Sequence, residues 1–205
     1  MVMLQLDHVA VLGETLDEAA AHVERALGVP MIPGGQHERY GTHNRLLGLS
    51  PELYIEAIAV DPALAPPKEA RWFGLDRFAG PPRLDKWVLR CDDIDAALKA
   101  LPMAGHPVHL ERGDLAWTMA VPEDGLLPFD GLFPALMQWR SPVPPGKTLA
   151  ASGLALEGLC VSHPEVDALR DLLAPHLDTT GLAFETGAAG LRARIRTTHG
   201  TVTLE

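Results

Sequence analysis

Leu6-Asp7-His8-Val9-Ala10-Val11 recurs as Leu84-Asp85-Lys86-Trp87-Val88-Leu89 and, more loosely, as Leu156-Glu157-Gly158-Leu159-Cys160-Val161. Each stretch is a short apolar run that opens on leucine and an acidic residue, as a buried strand does. A helical pattern follows each at one spacing. Its first apolar residue, Leu16, Ile94 or Val166, stands ten positions after the opening leucine in all three copies. Three agreements at one distance identify an internal repeat.

The helices carry start and stop signals. The first reads Thr15-Leu16-Asp17-Glu18 and runs to Leu27, before Gly28 and Pro30. Thr15 is placed to cap the free amides, and the two acids suit the positive end of the helix dipole. The second starts at Asp92 or Asp93 and stops before Pro102; the third opens at Ser162 or His163, with Pro164 in its first turn. Short strands then follow: 44–49 and 53–60; 108–111, 115–121 and 135–140; 182–186, 191–197 and 201–204. The last group includes the cleanly alternating Leu191-Arg-Ala-Arg-Ile-Arg-Thr. The unit is β-α-β-β-β, near residues 4–60, 84–140 and 154–205, and the fold class is α+β. Gly34-Gly35 reads as a turn. Two proline-rich joints, 61–83 and 141–153, separate the units; the first holds a short helix over Lys68 to Phe78, and the second is a linker.

With 205 residues, 47% of them hydrophobic, the chain can bury a sizeable core. Its net charge of −10 argues against general affinity for nucleic acid or an anionic membrane. No apolar run approaches the ~18 residues of a membrane span. Cys91 and Cys160, both in apolar segments, read as buried free thiols, and a reducing, cytoplasmic location is the expectation.

The unit resembles that of the vicinal oxygen chelate superfamily. Leu6-Asp7-His8, Gly41-Thr42-His43-Asn44 and Tyr54-Ile55-Glu56 look most like its glyoxalase-like branch. The resemblance implies that the first two units, within residues 1–140, pair so that their sheets curl into a cup. It implies metal ligands from the first and last strands of each unit. His8 and Glu56 fill those places in the first unit; register carries them to Lys86 and Gln138 in the second. Lysine at neutral pH offers a cation no free lone pair, and Gln138 is a weak ligand for zinc. A divalent metal on His8 and Glu56 would draw a third donor from His37 or His43. The metal-free alternative makes Lys86 the electrophile that polarises a substrate oxygen, with Glu56 or His8 moving a proton.

Further candidates line the expected cup. Arg90 and Arg140 near its rim favour an anionic small-molecule ligand, or else stand in water at strand ends. Trp117, Trp72 and Phe73 offer a floor or cover, or simply core. His43 and Asn44 complete the substrate-binding set. Two functions follow from the resemblance: a glyoxalase-like enzyme of lyase or isomerase type acting beside a carbonyl, with His8, Glu56 and Lys86 catalytic, or a protein that sequesters a small molecule unchanged. The third βαβββ-like unit has no partner within the chain, so a homodimer through it is expected.

Overall fold

The computed structural model describes residues 2–49 and 52–205. The first unit comprises β1 (Gln5–Leu12), α1 (Leu16–Leu27), β2 (Ile32–His37), β3 (Thr42–Leu49) and β4 (Leu53–Val60). The second comprises β5 (Arg83–Arg90), α2 (Ile94–Ala100), β6 (His106–Arg112), β7 (Leu115–Val121) and β8 (Ala135–Trp139). The short helix α3 (Pro145–Thr148) lies in the second joint. It leads to β9 (Ala155–Ser162), α4 (Val166–Leu173), β10 (Leu182–Glu185), β11 (Gly190–Thr197) and β12 (Gly200–Leu204).

The helix starts follow their signals. Thr15 Oγ1 accepts from the Glu18 amide and its hydroxyl donates to the Glu18 carboxylate; Gly28 closes α1 in the left-handed region. Asp93 caps α2 by accepting from the Ala96 amide. Thr15→Ala is expected to lower the unfolding free energy by about 1 kcal/mol, measured by urea denaturation.

Eight strands form one curled sheet in the order β2-β3-β4-β1-β5-β8-β7-β6. In each of the first two units the opening strand pairs in parallel with the closing one, β1 with β4 and β5 with β8. The units join where β1 meets β5 antiparallel. His8 lies opposite Val88, and Lys86 opposite Ala10. Lys86 is therefore the counterpart of His8, as the repeat predicts.

Three features depart from the sequence reading. Ile32-Pro-Gly-Gly-Gln-His37 is the edge strand β2, with a register shift between Pro33 and Gly35. An edge strand needs no partner for its outer amides and so tolerates the proline beside the Gly34-Gly35 pair that reads as a turn in the sequence. Residues 68–78 make only a 3-10 turn at Trp72–Gly74, because Phe73 (φ 60°) and Gly74 (φ 68°) leave the helical region. The four-stranded sheet of the third unit has the order β10-β9-β11-β12, so β9 lies inside and the closing strand β12 pairs only with β11. The third unit shares the order of elements with the others but not their order in the sheet.

The third unit packs on the second within one chain. Leu159, Val161, Leu191 and Ile195 join the core that holds Trp87 and Leu89, and Phe184 meets the Trp87 ring edge-on. The Leu4 amide donates to the His176 carbonyl. The apolar face for which a partner chain is expected is covered by β5 within the chain, while β10 and β12 remain sheet edges. Cys91 is buried and Cys160 half-buried rather than fully buried; both are free thiols.

All three Leu-acidic pairs prove to be β-bulges. Register shifts fall between Leu6 and His8 on β1, opposite Asp85 on β5, and opposite Glu157 on β9. In each copy the acidic residue is the extra one. A bulge re-aims side chains that strict alternation would send to opposite faces. It sets Asp7 beside His8 and Asp85 beside Lys86.

Candidate active site

A hollow of about 40 Å³ opens on the concave side, lined by both units. Its polar centre is one connected chain of groups. Asp7 Oδ1 lies 2.7 Å from His8 Nδ1, and His8 Nε2 lies 3.5 Å from Glu56 Oε2. Asn44 Nδ2 donates to Glu56 Oε1 at 2.6 Å. The amide oxygen of Asn44 accepts from the Gly35 amide (2.9 Å) and from Arg112 (3.4 Å). Arg112 also donates to His37 Nε2 at 3.0 Å, so His37 carries its proton on Nδ1 and donates it to Thr42 Oγ1. Tyr54 stacks on His8 with ring centroids 4.4 Å apart. Trp72, Phe73, Trp117 and Trp139 wall the space, and Trp139 Nε1 donates to Asp7 Oδ2.

Burial alone would make His8 neutral, but hydrogen bonds and charge from Asp7 and Glu56 outweigh it and raise its pKa to about 9. Burial pushes both carboxyls up; the His8 imidazolium outweighs that, and both Asp7 and Glu56 lie below their ordinary values. His37 is the opposite case. Burial lowers its pKa to about 4, and the Arg112 charge adds to that despite the opposing pull of Glu56. At neutral pH the hollow therefore holds Asp7 and Glu56 as anions, His8 and Arg112 as cations, and His37 neutral.

Curling of the sheet puts these groups together. Arg112 ends β6, at one edge of the eight strands, and reaches β2 at the other. The glycine pair of β2 makes room. A Cβ on Gly34 would overlap the Asn44 amide oxygen, and one on Gly35 would come within 2.9 Å of Arg112 Cδ. Gly34→Ala is expected to displace Asn44 from Glu56 and lower stability by about 1–3 kcal/mol, read as a drop in Tm with altered Asn44 side-chain amide resonances.

Of the residues singled out from sequence, His8, Glu56, Asn44, Trp117, Trp72, Phe73 and His37 line the hollow. Lys86 and Gln138 do not, so positions 8, 56, 86 and 138 do not converge. The register of β8 explains Gln138. Glu56 pairs with Ala10, and the counterpart pair is Val88 with Ala135. Ala135, not Gln138, thus occupies the place of Glu56. The misreading is three residues, and an odd shift turns a side chain to the other face. Gln138 accepts from the Ile94 amide and donates to the Asp92 carbonyl at the start of α2. Lys86 turns to the bulged Asp85 and lines a separate cavity. His43 lies 3.5 Å from Asp61, outside the hollow. Arg90 is a counter-ion of Asp7 at 3.6 Å, and Arg140 is exposed and donates to Thr118.

Asp7, Tyr54, Arg112, Met137 and Trp139 were missed. Asp7 was legible only through the bulge, and Arg112 only through the closing together of two sheet edges.

The donor set does not fit a divalent metal. His8 and Glu56 supply one nitrogen and one oxygen, while their counterparts are Lys86 and Ala135. Both nitrogens of His37 are engaged, and Arg112 brings positive charge. No group of three His, Cys, Asp or Glu suited to a metal occurs among the described residues, where a catalytic ion ordinarily has about three protein ligands.

Residues 6–177 match a family model described as a glyoxalase-like domain. No curated protein matches the chain significantly. Among solved structures, a hypothetical protein from Staphylococcus aureus is similar at TM-score 0.65 and 16% identity, over 92% of this chain and 88% of that one. Methylmalonyl-CoA epimerase from Mycobacterium tuberculosis is similar at TM-score 0.43 and 20% identity, over 68% and 88%. The Streptomyces coelicolor epimerase, in complex with 2-nitronate-propionyl-CoA, is similar at 0.44 and 14%, over 70% and 100%. The first likeness shows the fold; the epimerase likenesses are too partial to carry an argument about activity. No helix among the described residues is long and apolar enough to cross a membrane.

Proposed function

This chain belongs to the glyoxalase-like domain family, a fold of small-molecule enzymes, and from that premise we propose that it transfers a proton at carbon beside a carbonyl, using Glu56 as base. The observation that carries the reading is the charge arrangement around Glu56. A buried carboxylate is held ionised between an imidazolium and an amide donor, with a guanidinium in the same hollow.

The chemistry follows from charge. Before reaction Asp7, Glu56, His8 and Arg112 sum to zero. When Glu56 takes a proton from the substrate carbon, the protein part of the site becomes +1, and the substrate becomes an enolate with its charge on oxygen. The transition state is thus better matched than the ground state, which is the condition for catalysis. The 3.5 Å gap between His8 Nε2 and Glu56 Oε2 is longer than a tight hydrogen bond. A carbonyl oxygen entering there would accept from the His8 Nε2–H, with its neighbouring C–H turned to Glu56. Asp7 fixes the imidazole ring from behind through Nδ1. Aromatic walls keep water away and strengthen these interactions. The hollow admits the reacting end of a small molecule; the rest would lie toward the outer cleft by Gln36, Glu38, His109 and Glu111, which shares His37, Arg112 and Trp117 with it.

Deuterium incorporation from D₂O into small ketones, 2-oxoacids and thioesters, followed by proton NMR, tests the proposal. Exchange by the natural protein that disappears in Glu56→Gln supports it. Saturable binding with no exchange would instead identify a protein that sequesters the compound.

A further inference from the structure

We propose that the second unit carries its own ligand site, a pocket for a phosphate or carboxylate group centred on Lys86. A cavity of about 340 Å³ lies between β5, the first joint and the segment 126–131. It is lined by Arg77, Arg83, Lys86, Asp85 and Asp130, with Phe73 and Phe78 among its apolar residues. Nothing in the proton-transfer reading uses these groups, and the pocket stands or falls without it.

The charges do not balance. Lys86 is buried, with its side chain 6% exposed, and its ammonium bonds the Asp85 carboxylate and the Asp85 carbonyl. That leaves its third hydrogen without a partner among the described residues. Asp85 is not its alone, because Arg83 Nε donates to the same carboxylate at 2.9 Å. Arg77 has no ion pair among the described residues, and Asp130 accepts a hydrogen bond from His163 Nε2 at 3.1 Å while His163 Nδ1 accepts from the Glu165 amide. Three cations, Lys86, Arg77 and Arg83, therefore face two carboxylates, Asp85 and Asp130. A buried ammonium is retained when its remaining hydrogens and charge are met by a partner. An oxyanion in this cavity would meet the third Lys86 hydrogen, with Arg77 closing over it from the solvent side.

The setting repeats that of the first site. Lys86 is the counterpart of His8, and each stands after a bulged aspartate that orients it. Phe73 lines both hollows and is the wall between them. It holds a left-handed backbone (φ 60°), a conformation that a phenylalanine adopts at a cost and that surrounding contacts must enforce.

Amide chemical-shift titration of the whole chain with inorganic phosphate, and separately with acetate, at constant ionic strength tests the site. Saturable shifts are expected at Gly74, Leu126 and Gly131. Lys86→Met should weaken binding about tenfold and Arg77→Ala severalfold, with resonances of the His8 hollow unmoved in the Arg77 variant. Tighter phosphate than acetate identifies a phosphate ligand, and the reverse a carboxylate; either supports the proposal. Absence of saturable shifts in the natural protein, or equal affinity in both variants, would overturn it. Should Lys86→Met fail to fold, Arg77→Ala decides alone, since its side chain is exposed. Unchanged affinity there would reject the site.

Discussion

Glu56→Gln is expected to slow carbon-proton exchange by about 10²–10⁴-fold while leaving the hollow in shape. Glutamine matches glutamate in size, and its oxygen can still accept from Asn44. What it cannot do is take a proton or face an imidazolium. Its amide nitrogen would point a donor at the Nε2–H of His8, which now faces a carboxylate oxygen. The His8 pKa should therefore fall from about 9, because hydrogen bonding and charge from Glu56 are among the causes that raise it. Exchange measured by NMR reports the first effect, and the His8 ring resonance against pH reports the second. A drop in rate without a fall in that pKa would mean that Glu56 acts without holding its neighbour charged. An unaltered rate would remove it as the base.

The second large effect concerns stability. His8 has a folded-state pKa of about 9 against an ordinary 6.5. A raised value means the folded state holds the proton more tightly. The contribution is complete below pH 6.5 and lost as pH rises through about 9. Asp7 and Glu56 are lowered, so their contributions are present above their ordinary values of 3.8 and 4.5 and fade as pH falls. Stability should be greatest in the weakly acidic to neutral range and decline by roughly 3 kcal/mol toward alkaline pH. His8→Ala leaves Glu56 without its paired cation and Asp7 with Arg90 alone, which costs about 3–5 kcal/mol. It should also abolish the alkaline decline. Urea unfolding of both proteins at pH 6 and pH 9 checks this. Parallel declines in the two would show that another group titrates.

Local rules made the frame readable from the chain. Thr15, Gly28 and Asp93 sit where capping chemistry demands, and the strands β3, β4, β7 and β11 announce themselves by apolar runs or alternation. What lay beyond local rules was lost. Pro33, Gly34 and Gly35 look like a turn because their reasons for being in a strand are an exposed edge, an amide and an arginine from elsewhere in the chain. Arg112 is 68 residues from Asn44. In the site, His8, Glu56 and Asn44 were legible because they lie on adjacent strands of one unit. Gln138 was misplaced because Ala-Leu-Met-Gln mimics Leu-Tyr-Ile-Glu while the backbone pairs three residues earlier. Lys86 was aligned correctly with His8 but not located, since backbone equivalence does not fix where a long side chain ends.

The extra residue in each opening strand gives duplication an unusual product. Copying the segment copies a cradle, an acid turned to grip whatever follows it, and leaves the occupant free to change. One copy grips an imidazole and another an amine, on the same backbone pattern. In the third the occupant is Gly158, which has no side chain to grip, and Glu157 pairs instead with Arg194 on the neighbouring strand. Divergence between halves of such a protein can then proceed one residue at a time, without re-registering a single strand.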